Sequence, residues 1–274
     1  MYRLPLVLIF LAAFGCDTTQ PQATPRSPQT SAENASGMTV ASSSEESMPT
    51  TFDSLYAEFV IASFDKQLRL ADIHGKDAWG FNMTNGKITF NESVAYKVQI
   101  LGTEDHVNES WMWGWGNKAS NIPEEMLAVG NELHAYGEKH SISQLTTAKS
   151  PLEEVDGHTV GLIASGFANA KAYYRCPYEN GALFVLITDA NLELPIENKI
   201  VRATRVIPEC ISALEIADQR AATIAYLRQN GFEVDADAGR LVVHGDGGPL
   251  LTAEFDELNR LTSLNSHIVP RDGS

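Results

Sequence analysis

The sequence predicts an α+β fold in which antiparallel hairpins and meanders pack with about four helices. Three observations predict it: apolar stripes at helical spacing, short alternating runs split by turn residues, and few strand-helix-strand crossovers. The order helix then meander occurs at both ends of the folding part, a pattern that fits two similar halves.

Phe52, Leu55, Tyr56, Phe59, Val60 and Leu68 recur at helical spacing, with Asp53, Glu58, Asp65 and Lys66 between them. They predict an amphipathic helix over about 52–72 that ends at Gly75. Runs 79–83 and 87–90 flank Thr84-Asn85-Gly86, and Asn-Gly between short apolar runs signals a hairpin. Tyr96, Val98 and Ile100 alternate with Lys97 and Gln99 as on a half-buried strand. Residues 102–109 read as a polar loop, after which the chain returns through Trp111-Met-Trp-Gly-Trp-Gly-Asn117.

Pro123, Glu124 and Glu125 suit a first helical turn, followed by Met126, Leu133 and Tyr136 on one face to about His140. A second helix is expected over about 157–169, although Gly161 and Gly166 weaken its propensity. Strands follow at 172–175 and 182–188, and a third near 200–204. Pro208 then opens a last helix, with Ile211, Leu214, Ala217, Ala221, Ile224 and Leu227 inward and Gly231 at its C-cap. Runs 241–243, 250–255 and 260–264 close the chain as short strands.

The chain has 20 Lys and Arg against 35 Asp and Glu, a net charge of -15. Such a surface repels phosphate backbones, so no nucleic-acid partner is expected. Cys176 and Cys210 are left as either a disulfide or two buried free thiols. Neither belongs to a Cys-x-x-Cys pair, which argues against a zinc or redox role.

Trp111, Trp113 and Trp115 share one face if their segment is a strand. They are either an aromatic platform for sugar rings or a core ladder packed beside Tyr96, Val98 and Ile100. His134 and Glu138 lie one helical turn apart with His140 nearby, yet no His-Glu-x-x-His pattern is present and a solvated face is the better reading. Asp235-Ala-Asp237-Ala-Gly239 and His244-Gly-Asp246-Gly-Gly248 lack the ligand spacing of a calcium loop. Ser165-Gly166 lacks a nucleophile elbow. The sequence therefore nominates no catalytic residue, metal ligand or cofactor.

Residues 1–15 carry one Arg, an apolar run too short to span a bilayer, and small residues before Cys16. Ala13-Phe-Gly15-Cys16 resembles the lipobox of bacterial lipoproteins, which implies cleavage before Cys16 and acylation of its thiol; an ordinary signal peptide with an incidental cysteine uses the same small-residue pattern. Residues 16–50, rich in Ser, Thr, Pro and Gln, are expected to be the lipidated cysteine and a disordered tether. Residues 51–274 are expected to be one α+β domain, disordered from about 266. The implied location is the bacterial cell envelope, anchored to a membrane by the N-terminal lipid, with the domain in the periplasm or outside the cell.

Four segments together resemble a bacterial family catalogued as domain of unknown function 6882. They are Val98-Gln-Ile-Leu-Gly102, Trp111-Met-Trp-Gly-Trp-Gly-Asn117, Ala172-Tyr-Tyr-Arg-Cys-Pro-Tyr-Glu-Asn-Gly181 and Glu254-Phe-Asp-Glu-Leu-Asn-Arg-Leu261. Asn259 stands where the closing hairpin favours glycine, and asparagine tolerates the same positive φ. The resemblance implies an extent of 52–265 and no activity. The expected function is a non-catalytic domain that binds a protein or glycan partner; the alternative is a lipid-anchored hydrolase of cell-wall glycan or peptide, which needs two facing carboxylates in a cleft.

Overall fold

The computed structural model describes residues 48–191, 199–245 and 248–267. Cys16 and nearly all of the expected tether and tail lie outside the described residues.

Helix α1 (Phe52–His74) begins at a capping box. The Thr51 hydroxyl accepts the Ser54 N–H at 3.1 Å while the Ser54 hydroxyl accepts the Thr51 N–H at 3.0 Å, so two donors free of intrahelical partners are satisfied. Its buried stripe runs through Leu55, Phe59, Val60, Phe64 and Leu70. A meander follows: β1 (Trp79–Asn82), β2 (Lys87–Phe90), β3 (Val94–Asp105) and β4 (Ser110–Trp113). Next come α2 (Ala128–His140), the single turn α3 (Ser143–Thr146), β5 (Lys149–Pro151) and α4 (Gly157–Phe167). The hairpin of β6 (Ala172–Tyr178) and β7 (Gly181–Ile187) completes a seven-stranded antiparallel sheet. Strand β3 is its spine: residues 94–97 pair with β2, and the rest pairs with β7 and β4. The expected polar loop at 102–109 is thus half strand, because Gly102 to Asp105 exchange ladder hydrogen bonds with two neighbours.

Both faces of this sheet are covered. Leu101, Trp111, Trp113, Tyr173, Phe184 and Leu186 join the helices in one cluster, whereas Val98, Ile100, Tyr174, Cys176, Val185 and Ile187 pack on the other side with Ile88, Phe90 and Met126. The alternation along β6 and β7 is the period-two geometry of a strand buried on both faces. Helix α4 reaches the sheet and α1 through its glycines. A Cβ at Gly161 would come within 2.6 Å of the Tyr173 ring, and one at Gly166 would strike the Phe59 ring. The residues that lower the helix propensity of α4 are the ones that let it approach closely.

The C-terminal part differs from the sequence expectation. Helix α5 (Lys199–Ala213) passes through Pro208, and a separate α6 (Gln219–Gln229) starts at Asp218, whose carboxylate accepts the Ala221 N–H at 2.8 Å. The strand expected near 200–204 is the first turn of α5. Ile200, Ala203, Val206, Ile207 and Cys210 are all buried, and this helical stripe outweighs both the β-branched residues and the donor lost at Pro208. A four-stranded antiparallel sheet follows in the order β11–β10–β9–β8, from β8 (Val234–Ala236), β9 (Arg240–Gly245), β10 (Gly248–Phe255) and β11 (Leu261–Ser266). Its Leu241, Val243, Leu251, Ala253 and Phe255 enter the helix-side core. Asn259 turns this closing hairpin at φ 58°, the left-handed conformation that its position requires. Helix-then-meander order thus recurs at both ends, around α1 and around α5 and α6.

Candidate functional site

The tryptophan segment is not one strand face. Strand β4 stops at Trp113, and Trp115 sits in a 3-10 turn, Gly114–Gly116. Trp111 and Trp113 are each 0 % exposed and meet edge-to-face with ring centroids 5.6 Å apart. The Trp113 indole N–H donates to the Gln144 carbonyl at 3.0 Å, and Trp111 packs against Phe184 at 5.7 Å. Half-buried Trp115 lies between Trp113 and His134. The first two indoles are core, and no aromatic row of three is presented to a ligand.

Cys176 and Cys210 are both buried and free. They belong to different clusters on opposite sides of the seven-stranded sheet, so the disulfide alternative is corrected to two thiols. Burial pushes the Cys176 thiol up to about 12 and the Cys210 thiol higher still. His134 Nδ1 and the Glu138 carboxylate are 3.9 Å apart, and His140 stacks on Tyr136 instead. Among the described residues, no group of three or more His, Cys, Asp or Glu side chains is placed to hold a metal ion.

Three clusters of charged and polar side chains stand out among the described residues. At the C-terminus of α1, the His74 imidazole bonds to Asp77 at 2.8 Å and to the Tyr96 hydroxyl at 2.9 Å, which ties the helix end to the sheet. At the N-terminus of α4, Glu104 accepts the Gly157 N–H at 2.9 Å and contacts His106 at 3.1 Å, while Arg175 lies 3.9 Å away. There, His158 pairs with the Tyr173 hydroxyl at 3.0 Å. Desolvation lowers the pKa of His158 against the opposing pull of Glu104 and Asp156. Both clusters fasten elements together.

The third cluster lies in a cleft. Glu58, Phe59, Ala62, Asp65, Lys66 and Arg69 of α1, Gly166 and Asn169 at the end of α4, and Tyr226, Gln229 and Asn230 at the end of α6 enclose about 410 Å³. Positions 58, 62, 65, 66 and 69 recur at three- and four-residue steps, so the helical period alone gathers them on one side. Asp65 is buried and holds two guanidinium groups: Arg69 Nη2 at 2.9 Å on one oxygen and Arg202 Nε at 2.6 Å on the other. Gln229 bridges to the Glu58 carboxylate at 2.8 Å across the rim.

Lys66 Nζ donates to the Ser165 carbonyl at 3.0 Å, in the last turn of α4. Desolvation is the largest cause that lowers its pKa to about 8; Lys171 and Arg69 act in the same direction and Asp65 against it. Arg69 Nε is buried and makes no hydrogen bond. The cleft is therefore lined by two cations, Lys66 and Arg69, and two carboxylates, Asp65 and Glu58, and Arg202 joins them through its ion pair with Asp65, in a chain whose net charge is -15. Sequence reasoning placed Glu58, Asp65 and Lys66 on a polar helix face and stopped there. The Asp65/Arg69 spacing of four residues was a visible signal, but α4 and α6, which turn that face into a cleft, are distant in sequence.

A family model described as a family of unknown function (DUF6882) matches residues 53–190. The matched residues include the α1 and α4 walls of the cleft and the Trp segment, whereas Arg202, the α6 wall and the closing segment from Glu254 to Leu261 fall outside them. No curated protein and no solved structure matches the chain. No helix among the described residues is long and apolar enough to cross a membrane.

Proposed function

The chain belongs to the family of unknown function DUF6882. Membership carries no activity, so from its own chemistry we propose a membrane-anchored envelope lipoprotein whose domain binds a small carboxylate-bearing ligand in the cleft between α1, α4 and α6. The observation that carries the binding reading is a pair of cations, Lys66 and Arg69, lining a concave site on an acidic protein, where the neighbouring Asp65 carboxylate is already engaged by Arg69 and by Arg202. An ammonium has three donors, and the Ser165 carbonyl takes one from Lys66, so two remain for a ligand. Arg69 spends Nη2 on Asp65 and its Nε is buried, which leaves Nη1 to donate to a ligand carboxylate. Asn169 at the rim offers a neutral amide for the remainder of a polar ligand, such as a fragment of cell-wall peptide, and Gln229, whose amide nitrogen is spent on Glu58, offers its carbonyl oxygen.

Non-catalytic binding is favoured over hydrolysis because Asp65 is committed to two arginines, which leaves Glu58 without a free carboxylate opposite it. Anchoring rests on Ala13-Phe-Gly15-Cys16 and the 16–50 tether. The acidic surface would leave attachment to the lipid.

Isothermal titration of the purified domain with a panel of small carboxylates, amines and neutral sugars tests the binding reading. A carboxylate is expected to bind, and Lys66→Gln to weaken it about tenfold, the effect of losing about 1.4 kcal/mol. Equal affinity for the neutral and cationic compounds, or release of cleavage products from cell-wall fragments, would overturn the proposal. Mass spectrometry of the native protein tests the anchor through an acylated Cys16 at the mature N-terminus.

A further inference from the structure

We propose that Lys66 is a covalent capture group whose amine condenses with the carbonyl of a small 2-oxo acid or aldehyde acid while Arg69 holds the adjacent carboxylate. The inference rests on the cleft being the binding site and specifies the class of carboxylate it takes. Three features of the geometry lead to it. Lys66 and Arg69 are three residues apart on α1, so their side chains arise about 5–6 Å from one another on one face. That spacing suits an acid whose carbonyl neighbours its carboxylate. The carboxylate nearest Lys66 in sequence, Asp65, has one oxygen on Arg69 and the other on Arg202, so it is already engaged by two cations. The bond from Lys66 Nζ to the Ser165 carbonyl fixes the nitrogen against the end of α4, and a neutral amine can donate that bond while its lone pair stays available to an electrophile.

The lowered pKa of about 8 agrees with this arrangement: a desolvated lysine among other cations carries an appreciable neutral fraction near neutral pH. In the condensation, nitrogen bonds to the carbonyl carbon and the carbon–oxygen bond breaks. The two protons of the amine leave with that oxygen as one water, and nothing is oxidised or reduced. A lysine that only caps the end of α4 would share the hydrogen bond to Ser165, but its labelling would not respond to an occupied carboxylate site.

Glyoxylate with cyanoborohydride at pH 7.5 tests the proposal, followed by peptide mapping of the carboxymethyl adduct. Calorimetry with glycolate, the same acid with a hydroxyl in place of the carbonyl, reports the carboxylate site without any covalent step. The expected result is labelling of Lys66 roughly tenfold above the exposed lysines, suppressed by saturating glycolate and absent in Lys66→Gln. Circular dichroism of that variant checks that it is folded. If glycolate binds and Lys66 is labelled no more than the exposed lysines, covalent capture is overturned while the binding site stands. If glycolate fails to bind and Lys66 is not labelled, both readings fall. Labelling of Lys66 that glycolate does not suppress also overturns the proposal, because reactivity would then be independent of an occupied carboxylate site.

Discussion

Trp111 and Trp113 advertise themselves in the sequence and are sealed in the core, whereas Lys66 and Arg69 look like an ordinary polar helix face and line a cleft. The two regions differ in where their neighbours come from. The indoles sit on a central strand of the seven-stranded sheet and meet one another and Phe184 of β7 within that sheet's helix-side core. The cleft exists because α6, a separate helix from the far end of the chain, closes over it, as the 2.8 Å bond from Gln229 to Glu58, 171 residues away, records. Conspicuous residue types marked packing, and plain ones marked the concave surface.

The largest effect that would break this contrast is expected at Trp113. Replacing it with Ala should cost about 3–5 kcal/mol, read from the urea midpoint, since a fully buried indole leaves both a cavity and an unpaired Gln144 carbonyl. Trp115→Ala should cost distinctly less because Trp115 is only half-buried. Similar losses at both positions would show that burial does not separate them.

Asp65→Ala comes next. It leaves the Arg69 and Arg202 guanidinium groups facing one another in a half-buried site, and a loss of roughly 3 kcal/mol is expected in the same denaturation measurement. A loss under about 1 kcal/mol would mean that solvent already screens the triad.

Lys66→Met should have a smaller effect of opposite sign at neutral pH. The folded-state pKa of Lys66 is about 8 against an ordinary 10.5, so the unfolded chain binds the proton more readily. Below pH 8 both states are protonated and the folded protein bears the full cost of the desolvated charge; between pH 8 and 10.5 the proton leaves the folded state first, and stability rises with pH. The variant lacks this cost, so it should be more stable than the parent at pH 7 by on the order of 1 kcal/mol after solvent screening, and the gap should close towards pH 10. Parallel pH profiles of the two proteins would show that Lys66 is as solvated as a surface lysine.

The smallest effect is expected at the thiols. Raised pKa values and burial should leave Cys176 and Cys210 unreactive to a thiol reagent at pH 8 until the protein is unfolded, and reductant should not move the melting temperature. A drop of several degrees on reduction would restore the disulfide.

Much of the fold was legible because its signals are local. The stripe from Phe52 to Leu68, the Asn85-Gly86 hairpin and the β6–β7 pair each follow from residues close together in the chain. The misreadings share a cause. Ile200 to Thr204 read as strand by composition and Pro208 read as a helix start, yet the core accepted the stripe from Ile200 to Cys210 as one helix. Of the cleft, the sequence placed Asp65 and Lys66 on a polar helix face, while the i, i+4 spacing of Asp65 and Arg69 went unread and Arg202, distant in the chain, carried no local signal.

The sequence by itself determined the α+β class, most element positions, the acidic charge and the expectation of a lipid-anchored N-terminus, because periodicity, turn chemistry and composition act over a few residues. Tertiary structure alone decided that Trp111 and Trp113 are core, that Cys176 and Cys210 lie on opposite sides of a sheet, and that Lys66 faces a cleft. Burial, thiol separation and desolvation of a charge all depend on atoms brought together from distant parts of the chain, and no local pattern specifies them.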